Sequence, residues 1–170
     1  MPAVPKTSTS TPAPVLQSGN YWISTVKDET GAQFNLSRSP AEDRSLLPKP
    51  VLVLPRSVTR APWKITRNSD GTYTMENNGA PVVEIDGKLS AQLQAQQPEV
   101  KARWKITSVH WHGQDQFIIE SVDRTTGWSV RTTDAGSFFS FVQPDIKPLV
   151  STRSIPPRYQ PSARFIIKRI

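Results

Sequence analysis

Three short motifs recur in the same order along the chain, and internal repetition constrains a fold before any single residue does. The first is an aromatic-x-Ile step: Trp63-Lys64-Ile65, Trp104-Lys105-Ile106 and Phe165-Ile166-Ile167. The second sets an aromatic inside an alternating run: Gly19-Asn20-Tyr21-Trp22-Ile23, Gly71-Thr72-Tyr73-Thr74-Met75 and Asp115-Gln116-Phe117-Ile118-Ile119. The third is Gly31-Ala32-Gln33-Phe34, Gly79-Ala80-Pro81-Val82 and Gly127-Trp128-Ser129-Val130. Alternation of apolar and polar residues is the period of a strand with one buried face. An all-β unit repeated three times is short of a propeller, which typically needs about four or more blades. The expected fold is therefore a β-trefoil, a closed barrel of three-fold pseudo-symmetry capped by three hairpins. Each Trp or Phe of the aromatic-x-Ile step then points inward, and the Ile two residues on shares its face. Aromatics repeated at equivalent positions read as core filling rather than as platforms for stacking sugars.

Turn chemistry falls between the runs. Asp28-Glu29-Thr30-Gly31, Asn68-Ser69-Asp70-Gly71 and Asn77-Asn78-Gly79 supply left-handed backbone and local side-chain hydrogen bonds. Val51-Leu52-Val53-Leu54 is an apolar run of strand length, and the prolines flanking it suit a strand end. Sixteen prolines against eight glycines favour extended segments and stiff loops over helices. The best helical stretch, residues 90–97, has no sustained helical period. Residues 1–18 are mostly Pro, Ser, Thr and Ala and are expected to be a disordered tail, with 19–170 as the single folded domain. Five prolines lie between Phe141 and Phe165, marking a long loop of the kind that often carries function.

Several classes are set aside by what the chain lacks. It has no cysteine, so no disulfide and no thiolate metal site. No apolar run approaches the roughly 20 residues of a membrane helix, and no membrane partner is expected. The first residues lack a secretory leader, which points to a cytoplasmic protein, released on tissue damage. A net charge of +7 raises nucleic acid as a partner, but the charge is scattered and no RNA-binding or zinc-finger pattern occurs, so specific binding is not expected. His110-Trp111-His112 could aim two imidazoles the same way, but no third ligand is suggested and no metal or cofactor is expected. Without a Gly-x-Ser-x-Gly elbow, a phosphate loop or a His-Glu-x-x-His helix, the chain does not read as an enzyme.

One string is more specific. Ala41-Glu42-Asp43-Arg44-Ser45-Leu46-Leu47-Pro48-Lys49-Pro50, with Pro62-Trp63-Lys64-Ile65, Gly79-Ala80-Pro81 and Ser154-Ile155-Pro156-Pro157-Arg158-Tyr159, resembles the mushroom serine-protease inhibitors of the cospin and cnispin type. The likeness covers residues 19–170. It implies a disulfide-free fungal β-trefoil that inhibits trypsin-like serine proteases with an exposed loop, in defence against animals that eat the fungus. A monomer is expected. Such inhibitors offer an extended loop to the protease cleft and fill its S1 pocket with one side chain. A trypsin-like pocket ends in an aspartate and prefers Arg or Lys.

Two proline-stiffened polar loops carry a basic residue: Ser37-Arg38-Ser39-Pro40 and Thr152-Arg153-Ser154-Ile155-Pro156-Pro157. The resemblance places a reactive residue of some members near Ser39, where an Asn would be expected, and of others in the later loop, where Arg153 stands. Arg38, Ser39, Arg153 and Ser154 are the protease-binding candidates. Lys147 and Arg158 are weaker because of neighbouring prolines. Glu42-Asp43-Arg44 followed by Leu46-Leu47 reads as an anchor of its loop through a salt bridge and packing. The alternatives are a glycan-binding lectin, for which Trp128 and Asp134 would serve although the Gln-x-Trp signature is missing, and an inhibitor of cysteine proteases.

Overall fold

The alternating runs become strands whose inward positions are the ones the motifs mark. The computed structural model describes residues 14–94 and 102–170. Among these, twelve strands follow in order: β1 (Gly19–Thr25), β2 (Phe34–Arg38), β3 (Lys49–Pro55), β4 (Trp63–Arg67), β5 (Tyr73–Asn77), β6 (Ala80–Ile85), β7 (Lys88–Ala91), β8 (Arg103–Ser108), β9 (Gln116–Ser121), β10 (Gly127–Ser129), β11 (Asp145–Lys147) and β12 (Phe165–Arg169). On β4, Trp63 and Ile65 are buried while Lys64 is exposed; on β12, Phe165 and Ile167 are buried with Ile166 half-covered. The weak helical stretch opens as strand β7, and its residues 95–97 lie outside the described residues.

Six strands close a barrel. Antiparallel pairing runs β1–β4, β4–β5, β5–β8, β8–β9, β9–β12 and back from β12 to β1, so no barrel edge is left open. The other six form three hairpins, β2–β3, β6–β7 and β10–β11, joined to one another through β3–β7 and β7–β11. Register explains the repeated motifs. Tyr21 faces Trp63, Tyr73 faces Trp104 and Phe117 faces Phe165, one aromatic pair per unit of four strands. Cross-strand aromatic pairs are among the stronger same-face contacts in a sheet.

The centre of the barrel is filled asymmetrically. Trp63 donates its indole N–H to the Leu36 carbonyl at 2.8 Å, and Trp104 donates to the Val82 carbonyl at 3.1 Å. The third hairpin presents Trp128, fully buried, whose ring centroid lies 5.8 Å from Trp63, 5.4 Å from Trp104 and 6.1 Å from Phe165. One indole thus packs against the aromatic of every unit.

The expected tail differs at its inner end. Residues 1–13 lie outside the described residues, but Leu16 is 8% exposed and its carbonyl accepts the Tyr73 hydroxyl at 2.7 Å. Gln17 likewise accepts from Tyr21 at 2.7 Å. Two barrel tyrosines need partners for their hydroxyls, and this segment supplies them.

Candidate functional site

The β11–β12 connection, residues 148–164, projects from the barrel and is fixed at several levels. At its start Leu149 packs over Gly127: a Cβ there would lie 2.6 Å from Leu149 Cδ1 and 2.9 Å from the Ile119 carbonyl, so only glycine leaves room. Ser151 and Tyr159 form an isolated bridge. Just inside it, Thr152 N–H donates to the Arg158 carbonyl at 3.0 Å, and Arg158 N–H to Thr152 Oγ1 at 2.9 Å. The Thr152 and Ser154 hydroxyls lie 2.5 Å apart, and Ser154 Oγ donates to the Pro156 carbonyl at 2.9 Å. The short 3-10 turn His110–His112 supports the far side. Trp111 donates its indole N–H to the Pro157 carbonyl at 2.8 Å, and His112 Nε2 accepts the Tyr159 N–H at 3.0 Å. Beyond these ties Arg153, Ser154, Ile155 and Pro156 are exposed, Ile155 to 99%. Among the described residues the Arg153 and Ile155 side chains are tied to nothing in the body of the protein.

The His112 imidazole accordingly supports the loop. Among the described residues no group of three metal-ligating side chains gathers. Its pattern with Trp111 gave no sign in the sequence of a loop support 46 residues away. Burial first, then the Arg164 and Arg158 charges, hold the His112 pKa below 6.5; Glu120 is the acid that acts on neighbouring Tyr159. The Tyr159 bond needs the neutral ring, because a protonated nitrogen cannot accept. A histidine with a depressed pKa contributes its stability above the unfolded value and loses it as pH falls through the folded value. The Tyr159 amide is therefore expected to be protected from hydrogen exchange at pH above about 6.5 and to lose protection in more acid solution. His112→Ala should remove that protection at every pH, and exchange measured by NMR checks both.

The β2–β3 loop, residues 39–48, is built differently and corrects one expectation. Arg38 was expected on an exposed loop but is 7% exposed and fully engaged. Its guanidinium meets Glu42 with two bonds, at 2.7 and 3.1 Å, and donates to the Asn78 and Asn77 carbonyls at 3.0 and 3.3 Å. Its backbone N–H donates to Asn77 Oδ1 at 2.9 Å. A side chain so placed is a strut and cannot enter a protease pocket. Ser39 is half-buried, its Oγ accepting the Ala41 N–H at 3.1 Å. On the other side buried Lys49 bonds Asp43 and Ser45, and its ammonium holds the Asp43 carboxyl down to about 2. The expected salt-bridge anchor is present, but the expected packing is not: Leu46 and Leu47 are 60% and 69% exposed. Glu42→Ala is expected to cost about 2 kcal/mol in chemical denaturation, since it leaves a buried guanidinium half-satisfied.

The sugar-binding pair is not assembled. Trp128 is 0% exposed inside the barrel while Asp134 lies exposed on the β10–β11 loop, so no indole face is offered to a ligand there. Lys147 and Arg158 are exposed.

Comparison with known proteins bears on this arrangement. Residues 14–169 match the family described as Peptidase inhibitor I66. The chain is similar to a serine protease inhibitor of Lentinula edodes, with 37% identity over 114 residues that span 66% of this chain and 73% of that protein. Its structure is similar to that of a proteinase inhibitor from Coprinopsis cinerea, with a TM-score of 0.78 at 30% identity over 91% of this chain and 99% of that one. A Polyporus squamosus lectin shares the fold alone, with a TM-score of 0.60 at 15% identity over 91% of this chain and 50% of that one.

Proposed function

The chain belongs to the I66 family of peptidase inhibitors, and from that premise we propose that it inhibits trypsin-like serine proteases through residues 148–164, with Arg153 in the S1 pocket. The carrying observation is the exposed Arg153 on a loop whose backbone is bonded on both sides of it. An Arg guanidinium matches the aspartate at the base of a trypsin-like pocket. A loop already ordered in the free protein loses little entropy on binding.

The same bracing separates an inhibitor from a substrate. The Ser154 hydroxyl spans the Arg153–Ser154 bond, contacting Thr152 on one side and Pro156 on the other. After attack at the Arg153 carbonyl, the leaving Ser154 amine stays tethered by these bonds and by the Thr152–Arg158 closure. Religation then competes with hydrolysis. Ring closure by six strands, with three hairpins packed on it, supports the finer reading of the fold as a β-trefoil. Storage in the cytoplasm and release on damage, in defence, fits an inhibitor aimed at the digestive proteases of another organism.

Titration of active-site-counted trypsin tests the reading. Activity should fall linearly to zero at one inhibitor per enzyme. Recovery of activity with accumulation of chain cut after Arg153 would reject it.

A further inference from the structure

A second constellation sits on the outer wall of the barrel, built from residues of neither loop. Trp22 lies between buried Tyr21 and Ile23 on β1, so its indole faces outward. The Arg60 guanidinium stacks on that ring, with Cζ 3.9 Å from the centroid, and Nη1 donates to Asn35 Oδ1 at 2.8 Å. An aromatic face and a neutral amide thus fix the guanidinium, and among the described residues no carboxylate meets it. Arg56 stands exposed on the turn that Val58 N–H closes onto the Pro55 carbonyl at 3.0 Å. Burial and then the Arg56 charge push the Arg60 pKa down, so the two cations oppose each other. Lys168 is paired directly with Trp22 and leaves the sheet on the same side. Around the two arginines opens a polar pocket lined by Asn35, Arg56, Ser57, Val58, Thr59 and Arg60.

We infer that this pocket binds an acidic sugar residue of a glycan, its carboxylate or sulfate held between Arg56 and Arg60 and its hydroxyls by Ser57, Thr59 and Asn35. Two neighbouring cations without an acid are relieved by an anion. A guanidinium already immobilised on Trp22 and Asn35 loses little freedom on accepting one. The short polar side chains of the rim match ring hydroxyls, which a bare phosphate does not offer. A nucleic-acid duplex needs a continuous cationic track rather than a single pocket. The site is independent of the protease reading.

Calorimetric titration of the full chain at physiological salt tests it, with a heparin-derived tetrasaccharide, tetragalacturonate and neutral cellotetraose as probes. At least one acidic probe should bind and cellotetraose should not; binding of tetragalacturonate assigns the carboxylate as the recognised group, and binding of the heparin fragment alone assigns sulfate. Arg56→Gln, an exposed change, should weaken binding about tenfold while leaving trypsin inhibition unaltered. Lys147→Gln, which removes the same charge elsewhere, should bind as the unaltered protein does. Absence of binding by both acidic probes, equal binding of cellotetraose, an equal loss in Lys147→Gln, or tighter binding of a short DNA duplex would each overturn the inference.

Discussion

Arg153→Ala should weaken trypsin inhibition on the order of a thousandfold, a loss of about 4 kcal/mol, with no change in melting temperature. Both halves follow from the same geometry. Among the described residues the exposed Arg153 side chain makes no hydrogen bond or ion pair in the free protein, so its removal leaves folding stability as it was. In the complex it would supply the charged bond at the bottom of a dry pocket, where truncation leaves the protease aspartate unpaired. Inhibition constants and thermal unfolding on one preparation check the pair. An equal drop in stability would mean that the residue is structural. Arg38→Ala should give the reverse pattern, because its guanidinium is spent on Glu42 and on the Asn77 and Asn78 carbonyls.

Trp128→Ala is the largest expected change in stability. The ring packs on Trp63, Trp104 and Phe165 at once, and the surrounding barrel is closed by hydrogen-bonded strands that cannot collapse into the space. A loss of about 4 kcal/mol follows from removing a buried aromatic and leaving a cavity. For a chain of this size that lowers the melting temperature by roughly 10 °C. Trp128→Phe should cost much less, about 1–2 kcal/mol. It sacrifices part of the volume but also removes an indole N–H that is buried without an acceptor among the described residues. Calorimetric unfolding of both variants separates the cavity from the unpaired donor.

The parts legible in the sequence are those set by local period. Trp63-Lys64-Ile65 and its two relatives are recognisable because inward and outward positions alternate and because register pairs Tyr21, Tyr73 and Phe117 with the aromatic of each step. What stayed illegible depends on contacts across long separations. Arg38 in a polar stretch looks exposed until Asn77, 39 residues on, is folded against it. Leu46 and Leu47 look like packing residues, yet the loop is held by Arg38 and Lys49 from within and leaves them outside. His112 looks like half of a metal site until Tyr159 closes on it from 47 residues away. The Arg56–Arg60 pocket has no motif at all; Asn35 lines it from β2, and Trp22 of β1 carries the Arg60 guanidinium.

A crystal structure of the complex with trypsin is the most direct test of the central claim. The 148–164 loop should lie in the cleft, with the Arg153 guanidinium on the S1 aspartate and the Thr152–Arg158 and Trp111–Pro157 bonds kept as in the free protein. The β2–β3 loop in the cleft, with Arg153 in solvent, would contradict it.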